Sequence, residues 1–234
     1  MILQVKDLQI GYETPLLSNL NFGLDIGDRL VLFGANGCGK TTLLKALVDP
    51  QLQLQGKAQW QISRQEIGVL SQDNHFHQAT PDFVEDYLYK CLLQFQPFTP
   101  RSRYKKEVMS LMEALDLVNQ PLRVLSGGQR QKLKLARVLL TQSKALLLDE
   151  PLNAVDASSK MEIMKTLKAL MPTTLQIWVL HDYYEIQQLQ APVLWIQEGE
   201  SQLFSFEGWF KKVDQAFHSW MKIDEPKETP WLNS

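Results

Sequence analysis

The 234-residue chain carries 24 Lys and Arg residues against 26 Asp and Glu residues, a formal net charge of −2, and 44% of it is hydrophobic. That apolar fraction can bury a sizeable core, which excludes disorder for the bulk of the chain. The near-neutral charge argues against a nucleic-acid partner, because proteins that bind nucleic acid usually carry a basic surface. No apolar run approaches the roughly 20 residues that span a bilayer, so no direct membrane insertion is expected.

Short apolar runs predict the strands of an α/β fold. Residues 3–10 partly alternate between apolar and polar side chains, and residues 30–33 are continuously apolar. Both patterns are typical of strands. Three further runs, at residues 145–148, 175–180 and 193–196, suit strands that are covered on both faces.

The middle of the chain has helical spacing instead. Apolar residues recur every three or four positions at 84–95 and again at 104–115, and prolines separate the two segments. We therefore predict a core at about 1–72 and 141–205, interrupted by a helical subdomain at about 73–140.

Near the C-terminus, an apolar stripe predicts an amphipathic helix over about residues 206–222. A helix docked on its own core is the first interpretation, and a partner-binding face is the alternative. Residues 1–222 would then form a single domain, and residues 223–234 are expected to be a flexible tail.

A loop with the pattern G-x-x-x-x-G-K-[ST] follows the strand at residues 30–33 and precedes a helix. This phosphate loop comprises Gly34, Ala35, Asn36, Gly37, Cys38, Gly39, Lys40 and Thr41, and Thr42 follows it. Glycines let backbone N–H groups surround a phosphate at the positive end of the helix dipole. Lys40 would reach the β and γ phosphates, and the Thr41 hydroxyl would ligate Mg²⁺. A plain glycine turn is the alternative.

A second glycine motif, Leu125–Gln129, precedes another helical run. Gly127 and Gly128 would expose backbone donors at the helix start, and Ser126 can cap the helix or bind an anion. With the phosphate loop, this motif resembles those of the ATP-binding cassette ATPases, the nucleotide-binding subunits of ABC transporters. The resemblance covers about residues 1–200. It implies ATP and Mg²⁺ as cofactors, and a P-loop NTPase (RecA-like) core with an antiparallel β subdomain and an inserted α-helical subdomain.

The resemblance also assigns roles to two residues outside the motifs. Tyr12 falls where the family places an aromatic that stacks on adenine, and a structural aromatic near a turn is the alternative. Gln72 matches the family's glutamine loop, which senses Mg²⁺ and nucleotide; a plain loop glutamine is the alternative.

The acidic end of the run at 145–148 would carry the chemistry. Asp149 would hold Mg²⁺ opposite Thr41, because a buried carboxylate needs a partner. Glu150 lies where the family places its general base, and His181 matches the histidine that contacts the γ-phosphate and orients the attacking water. With Lys40 and Gln72, these two complete the expected catalytic set. The nearby Pro-Leu-Asn-Ala-Val-Asp segment is similar to that of zinc and manganese uptake cassettes, with Asn153 in place of a serine.

The resemblance further implies that each nucleotide site is completed by another cassette, through its Ser126, Gly127, Gly128 and Gln129. An identical chain is expected, giving a homodimer, and a paralogue is the alternative. The resemblance implies that transmembrane permease subunits bind the Gln72 loop and the helical subdomain. The chain would then lie in the cytoplasm, peripheral on the inner face of the cell membrane. Two other functions stay open: a soluble cassette ATPase without a permease, and a nucleotide-binding regulator without catalysis.

Overall fold

The computed structural model describes residues 1–71, 83–95, 110, 112–113, 117, 120–141, 143–153, 155–197 and 199–221. Gln72, most of the second helical segment at 104–115 and the tail at 223–234 lie outside these residues. The predicted boundaries of the helical subdomain therefore stay predictions.

Within the described residues the chain forms nine strands: β1 Leu3–Gly11, β2 Pro15–Leu24, β3 Arg29–Gly34, β4 Gln53–Trp60, β5 Ile67–Leu70, β6 Ala145–Asp149, β7 Leu175–Val179, β8 Val193–Gln197 and β9 Glu200–Phe204. The α-helices of the same residues are α1 Lys40–Ala46, α2 Val84–Phe95, α3 Gly127–Leu139, α4 Ala157–Leu170, α5 Tyr183–Leu189 and α6 Phe206–Met221. Short 3₁₀ helices lie at Pro50–Leu52, Arg64–Glu66 and Leu122–Val124. Each predicted apolar run lies in a strand, except that the run at 175–180 extends one residue beyond β7, and the first helical segment coincides with α2.

A six-stranded sheet in the order β5-β6-β7-β3-β8-β9 forms the centre of the fold. Its first five strands run parallel, and β9 pairs antiparallel with β8. Every residue of β6 and β7 is buried, as expected for central parallel strands. Because parallel strands end at the same edge, the residues that follow β3, β6 and β7 lie side by side there.

A second, three-stranded sheet is antiparallel and has the order β2-β1-β4. Its register shifts within β1, where the pairing with both neighbours is irregular. Together, the mixed central sheet, this antiparallel sheet and the surrounding helices confirm the α/β class that the sequence predicts.

Two hydrophobic clusters cover the faces of the central sheet. Along β6, Leu146 and Leu148 join one cluster, which also includes residues of α3 and α4. Ala145 and Leu147 join the other, with the three-stranded sheet and α1. This division follows from the alternation of side chains along a strand.

The helix α6 packs on the first of these clusters. Trp209 is fully buried, and its ring lies 5.3 Å from that of Phe33 and 5.4 Å from that of Tyr183. Phe206 and Phe210 pack against the same cluster. The interpretation of a helix docked on its own core is therefore confirmed for this half of α6. In the part of the chain that the structure describes, no helix is long and apolar enough to cross a membrane.

Candidate functional site

The phosphate loop joins β3 to α1 at the carboxyl edge of the central sheet. A side chain at Gly34 is excluded, because its Cβ would lie 2.3 Å from the carbonyl oxygen of Ile196. Gly39 has a φ of 105°, a left-handed conformation, and is the N-cap of α1 without a side-chain cap. The first N–H groups of α1 are therefore left for another acceptor, as a phosphate site requires.

The Lys40 ammonium is folded back onto the phosphate loop. Its Nζ donates to the carbonyl oxygens of Gly34 at 2.9 Å and Ala35 at 2.7 Å, and lies 3.9 Å from Cys38 Sγ. Only 5% of the Lys40 residue is exposed. These carbonyls provide the buried cation with neutral oxygen partners, which anionic phosphate oxygens can replace with stronger, charge-assisted bonds.

Thr41 and Asp149 meet across the junction of α1 and β6. The Thr41 hydroxyl donates to Asp149 Oδ1 at 3.1 Å, and Asp149 is only 2% exposed. Burial raises the pKa of the Asp149 carboxyl, and the hydrogen bond from Thr41 opposes that rise. A buried carboxylate beside a hydroxyl is a donor set of hard oxygens that fits Mg²⁺, whose charge would stabilise the ionised form.

Glu150 follows Asp149 and contacts two other side chains. Its Oε1 lies 2.6 Å from Nε2 of His181, which follows β7, and its Oε2 accepts a hydrogen bond from Asn153 Nδ2. The backbone of Glu150 is left-handed, with a φ of 49°. Non-glycine residues in this conformation cluster at functional sites, where the surrounding structure holds them in place.

These residues surround one cavity of about 590 Å³. Its lining joins the phosphate loop and α1 to the residues that follow β6 and β7: Asn36, Gly37, Gly39, Lys40, Thr41, Thr42, Glu150, Asn153 and His181. The topology thus brings together groups that the sequence separates by more than a hundred positions, Thr41 and Asp149 among them. Their arrangement suits binding of a polyphosphate with a metal ion and movement of a proton beside it.

The second glycine motif lies at the start of α3, away from the cavity. Ser126 is the N-cap of α3; its Oγ accepts from the backbone N–H of Gln129 at 3.2 Å, and its own N–H donates to Gln129 Oε1 at 3.0 Å. None of the described residues of this motif, Gly127 and Gly128 included, lines the cavity. Ser126 and Gly127 are exposed, so the capped start of α3 is accessible.

Of the two isolated candidates, only one can be placed. Tyr12 directly follows β1 and is 66% exposed, so its ring is accessible, but it does not line the cavity in the described structure. Gln72 comes two positions after the end of β5 in the sequence and lies outside the described residues.

Comparison with known proteins identifies the family. Residues 17–153 match the family described as "ABC transporter". The chain belongs to this family. It is 33% identical over 195 residues to the putative ATP-binding protein YdiF of Bacillus subtilis, covering 82% of this chain and 29% of YdiF. It is 27% identical over 218 residues to the high-affinity zinc uptake system ATP-binding protein ZnuC of the same organism, covering 85% of this chain and 92% of ZnuC.

A solved structure supports the same ABC cassette fold. CbiO1 from Clostridium perfringens, part of the ABC transporter complex CbiONQ, superposes with a TM-score of 0.75 over 93% of each chain, at 22% identity. The chain spans about a third of the length of several curated relatives that it matches. The family predicted from the two glycine motifs is therefore confirmed, and it is a family of ATP-binding proteins.

The sequence did not predict two hydrogen bonds within this ABC cassette. Asn153, of the Pro-Leu-Asn-Ala-Val-Asp segment, donates to Glu150 of its own chain. Pro151 directly after Glu150 is a turn signal that could have indicated this contact, because Pro is favoured at the second position of a β-turn. Gln131 of α3 donates to the carbonyl oxygen of Pro151 at 2.8 Å. Nothing in the sequence pattern predicts that pair.

Proposed function

We propose that the chain is the ATP-binding and ATP-hydrolysing subunit of an ABC transporter, acting through the ATP-driven association of two cassettes. The observation that carries this proposal is the convergence of Thr41, Glu150 and His181 on the cavity at the phosphate loop, with Asp149 bonded to Thr41. Membership of the ABC transporter family supports it.

In this function, the phosphate loop binds and orients the triphosphate of ATP. The Lys40 ammonium exchanges the loop carbonyls of Gly34 and Ala35 for phosphate oxygens. The Thr41 hydroxyl and the Asp149 carboxylate would hold Mg²⁺, which would supply positive charge next to the phosphates. Glu150 accepts a proton from the attacking water at a carboxylate oxygen, and His181 holds that carboxylate through the contact between Nε2 and Oε1.

The site of one chain is incomplete in this proposal. Ser126, Gly127 and Gly128 lie at the start of α3 and do not line the cavity of their own chain. We therefore assign them to the nucleotide that a second cassette holds, with the two cassettes facing head to tail. A symmetric pair of identical chains then forms two equivalent sites.

We propose that a membrane permease is the partner that this ATPase drives. The relative ZnuC is the ATP-binding protein of a zinc uptake system. The spermidine/putrescine import ATP-binding protein PotA of Legionella pneumophila is also similar, 28% identical over 85% of this chain. They support a peripheral position of this chain on the cytoplasmic face of a membrane, bound to permease subunits. ZnuC makes zinc the first cargo to assay.

Hydrolysis is tested by measuring phosphate release from ATP by the purified chain, with Mg²⁺ and with an excess of chelator. We expect turnover that requires Mg²⁺ and that a Lys40→Met variant lacks. A wild-type chain that binds ATP but releases no phosphate would instead support the regulator without catalysis.

Transport is tested by uptake of zinc, manganese and polyamines in a strain that lacks the gene. We expect uptake of one cargo to be lost, restored by the wild-type gene and not by Glu150→Gln. Unchanged uptake of every cargo, with the chain absent from washed membranes, would support the ATPase without a permease.

A further inference from the structure

A hydrogen bond joins the helix of the second glycine motif to the turn that carries Glu150. Gln131 Nε2 donates to the carbonyl oxygen of Pro151 at 2.8 Å. Gln131 lies in the second turn of α3, whose N-cap is Ser126. Pro151 directly follows Glu150 and is buried. One side chain therefore connects the second glycine motif, assigned to the nucleotide of the other cassette, to the proposed general base of the same chain.

The helical side of this connection is rigid. The reciprocal bonds between Ser126 and Gln129 fix the first turn of α3. Leu133, Leu135 and Ala136 are at most 1% exposed and hold the next turns in the core. Because packed interiors are dense and shift as units, a displacement at Ser126 is carried to Gln131.

The turn on the other side is strained and depends on its contacts. A left-handed backbone such as that of Glu150 costs roughly 1–2 kcal/mol in a non-glycine residue. The N–H of Asn153 donates to the carbonyl oxygen of Glu150 at 3.2 Å, which closes the turn. The hydrogen bond from Gln131, which lies outside the turn, holds the carbonyl group of the next residue, Pro151. Moving that peptide therefore changes the direction of the Glu150 carboxylate relative to His181.

We propose that Gln131 is a positioning residue that couples the nucleotide-facing end of α3 to Glu150 of the same chain. The inference rests on the proposed function, in which Ser126 contacts the nucleotide bound by the other cassette. Nucleotide in one site then displaces α3, and Gln131 adjusts Glu150 in the second site. In a symmetric pair of identical chains, each chain contributes one such link, and the two links together produce positive cooperativity in ATP hydrolysis.

The test compares variants that differ in their hydrogen-bond donor. Gln131→Met keeps the length of the side chain and removes the donor, whereas Gln131→Lys keeps a donor of similar reach. For Gln131→Met we expect kcat to fall about tenfold, which is about 1.4 kcal/mol, with the KM for ATP changed less than about twofold. We also expect its Hill coefficient to fall to about 1, from a wild-type value above 1. Gln131→Lys is expected to retain most of the cooperativity.

Gln187→Met is the matched control, because it makes the same change on α5, at a half-buried position. All variants are compared at a temperature at which circular dichroism shows them fully folded. A Gln131→Met variant that loses rate but keeps the wild-type Hill coefficient would overturn the proposal, since Gln131 would then only support the turn. A wild-type chain that hydrolyses ATP without cooperativity would also overturn it. A wild-type chain without turnover would overturn the proposed function, and this inference with it.

Discussion

Two regions of the molecule are built on the same strands and held by opposite kinds of contact. The catalytic edge, formed by Thr41, Asp149, Glu150 and His181, is held by hydrogen bonds between polar side chains. The aromatic cluster, formed by Phe33, Tyr183, Trp195, Phe206, Trp209 and Phe210, is held by ring packing. Phe33 precedes the phosphate loop, and Tyr183 lies two residues after His181.

The exposure of the two regions explains what each can do. The His181 and Glu150 side chains are 31% and 15% exposed, so water and substrate can reach this pair. Trp209 is fully buried. A solvent-accessible pair contributes about 0–1 kcal/mol to stability, whereas truncating a buried Trp costs about 3–5 kcal/mol. Activity and stability should therefore respond to different substitutions.

The largest effect is expected at Glu150. Glu150→Gln removes the proton acceptor but keeps the shape of the side chain, so we expect turnover to fall about 100- to 10,000-fold. ATP binding and the midpoint of thermal unfolding should change little, because the replaced contacts lie at an accessible surface. Phosphate release, equilibrium binding and thermal unfolding measure the three quantities. A parallel loss of stability would show that the catalytic edge also holds the fold together.

Trp209→Ala should give the reverse result. We expect the free energy of unfolding to fall by about 3–5 kcal/mol, with the hydrolysis rate per folded molecule retained. Chemical denaturation and phosphate release below the unfolding transition measure these quantities.

Trp209→Phe is the control for this prediction. It keeps a ring in the cluster and removes an indole N–H that is buried without a hydrogen-bond partner among the described residues. Since an unpaired buried donor costs about 1–3 kcal/mol, Trp209→Phe should lose far less stability than Trp209→Ala. Equal losses would contradict the packing account.

A smaller effect is expected at His181. His181→Ala removes the group that holds Glu150 Oε1, so hydrolysis should fall about 10- to 100-fold while ATP affinity changes much less. Steady-state rates and binding titrations separate the two. Equal losses of rate and affinity would indicate that His181 is structural.

The smallest effect concerns the pH dependence of stability and Glu185, which lies on α5. Burial raises the pKa of the Glu185 carboxyl, and the Lys160 ammonium, 2.6 Å away, opposes that rise. Asp182 also raises this pKa, and His181 lowers it. With the pKa higher in the folded state, the contribution of Glu185 to stability is fully present below the ordinary Glu pKa. It is lost as the pH rises through the raised value.

Glu185→Gln does not titrate and provides the reference. The free energy of unfolding of the wild type, relative to this variant, should therefore decrease with rising pH in that window and then stay level. Denaturation across the acidic range measures it. A relative stability that increases with pH would mean that the bond to Lys160 outweighs burial.

The sequence predicts the centre of this fold better than its borders. The strands β3, β6 and β7 are buried on both faces, and such strands require continuous apolar runs that periodicity detects. The strand β4 escaped detection because most of its residues are exposed and polar, so nothing distinguishes it from a loop. The strand β9, at the edge of the central sheet, was not predicted for the same reason, since it is mostly exposed.

For the candidate site, the sequence predicts what the motifs contain and misses contacts between elements. The phosphate loop, Asp149 and Glu150 all lie at the ends of predicted strands, so the sequence pattern locates them. The bond from Gln131 to Pro151 joins residues 20 positions apart on a helix and a turn, a distance that only the tertiary fold determines.

The most direct test of the composite site is the mass of Glu150→Gln in solution, with and without ATP and Mg²⁺. This variant is expected to bind ATP without consuming it, so a pair of chains should accumulate. The account predicts a monomer without nucleotide and twice that mass with ATP and Mg²⁺, while a Ser126→Arg/Glu150→Gln double variant stays monomeric. A Glu150→Gln chain that binds ATP and remains monomeric at every concentration tested would contradict the account.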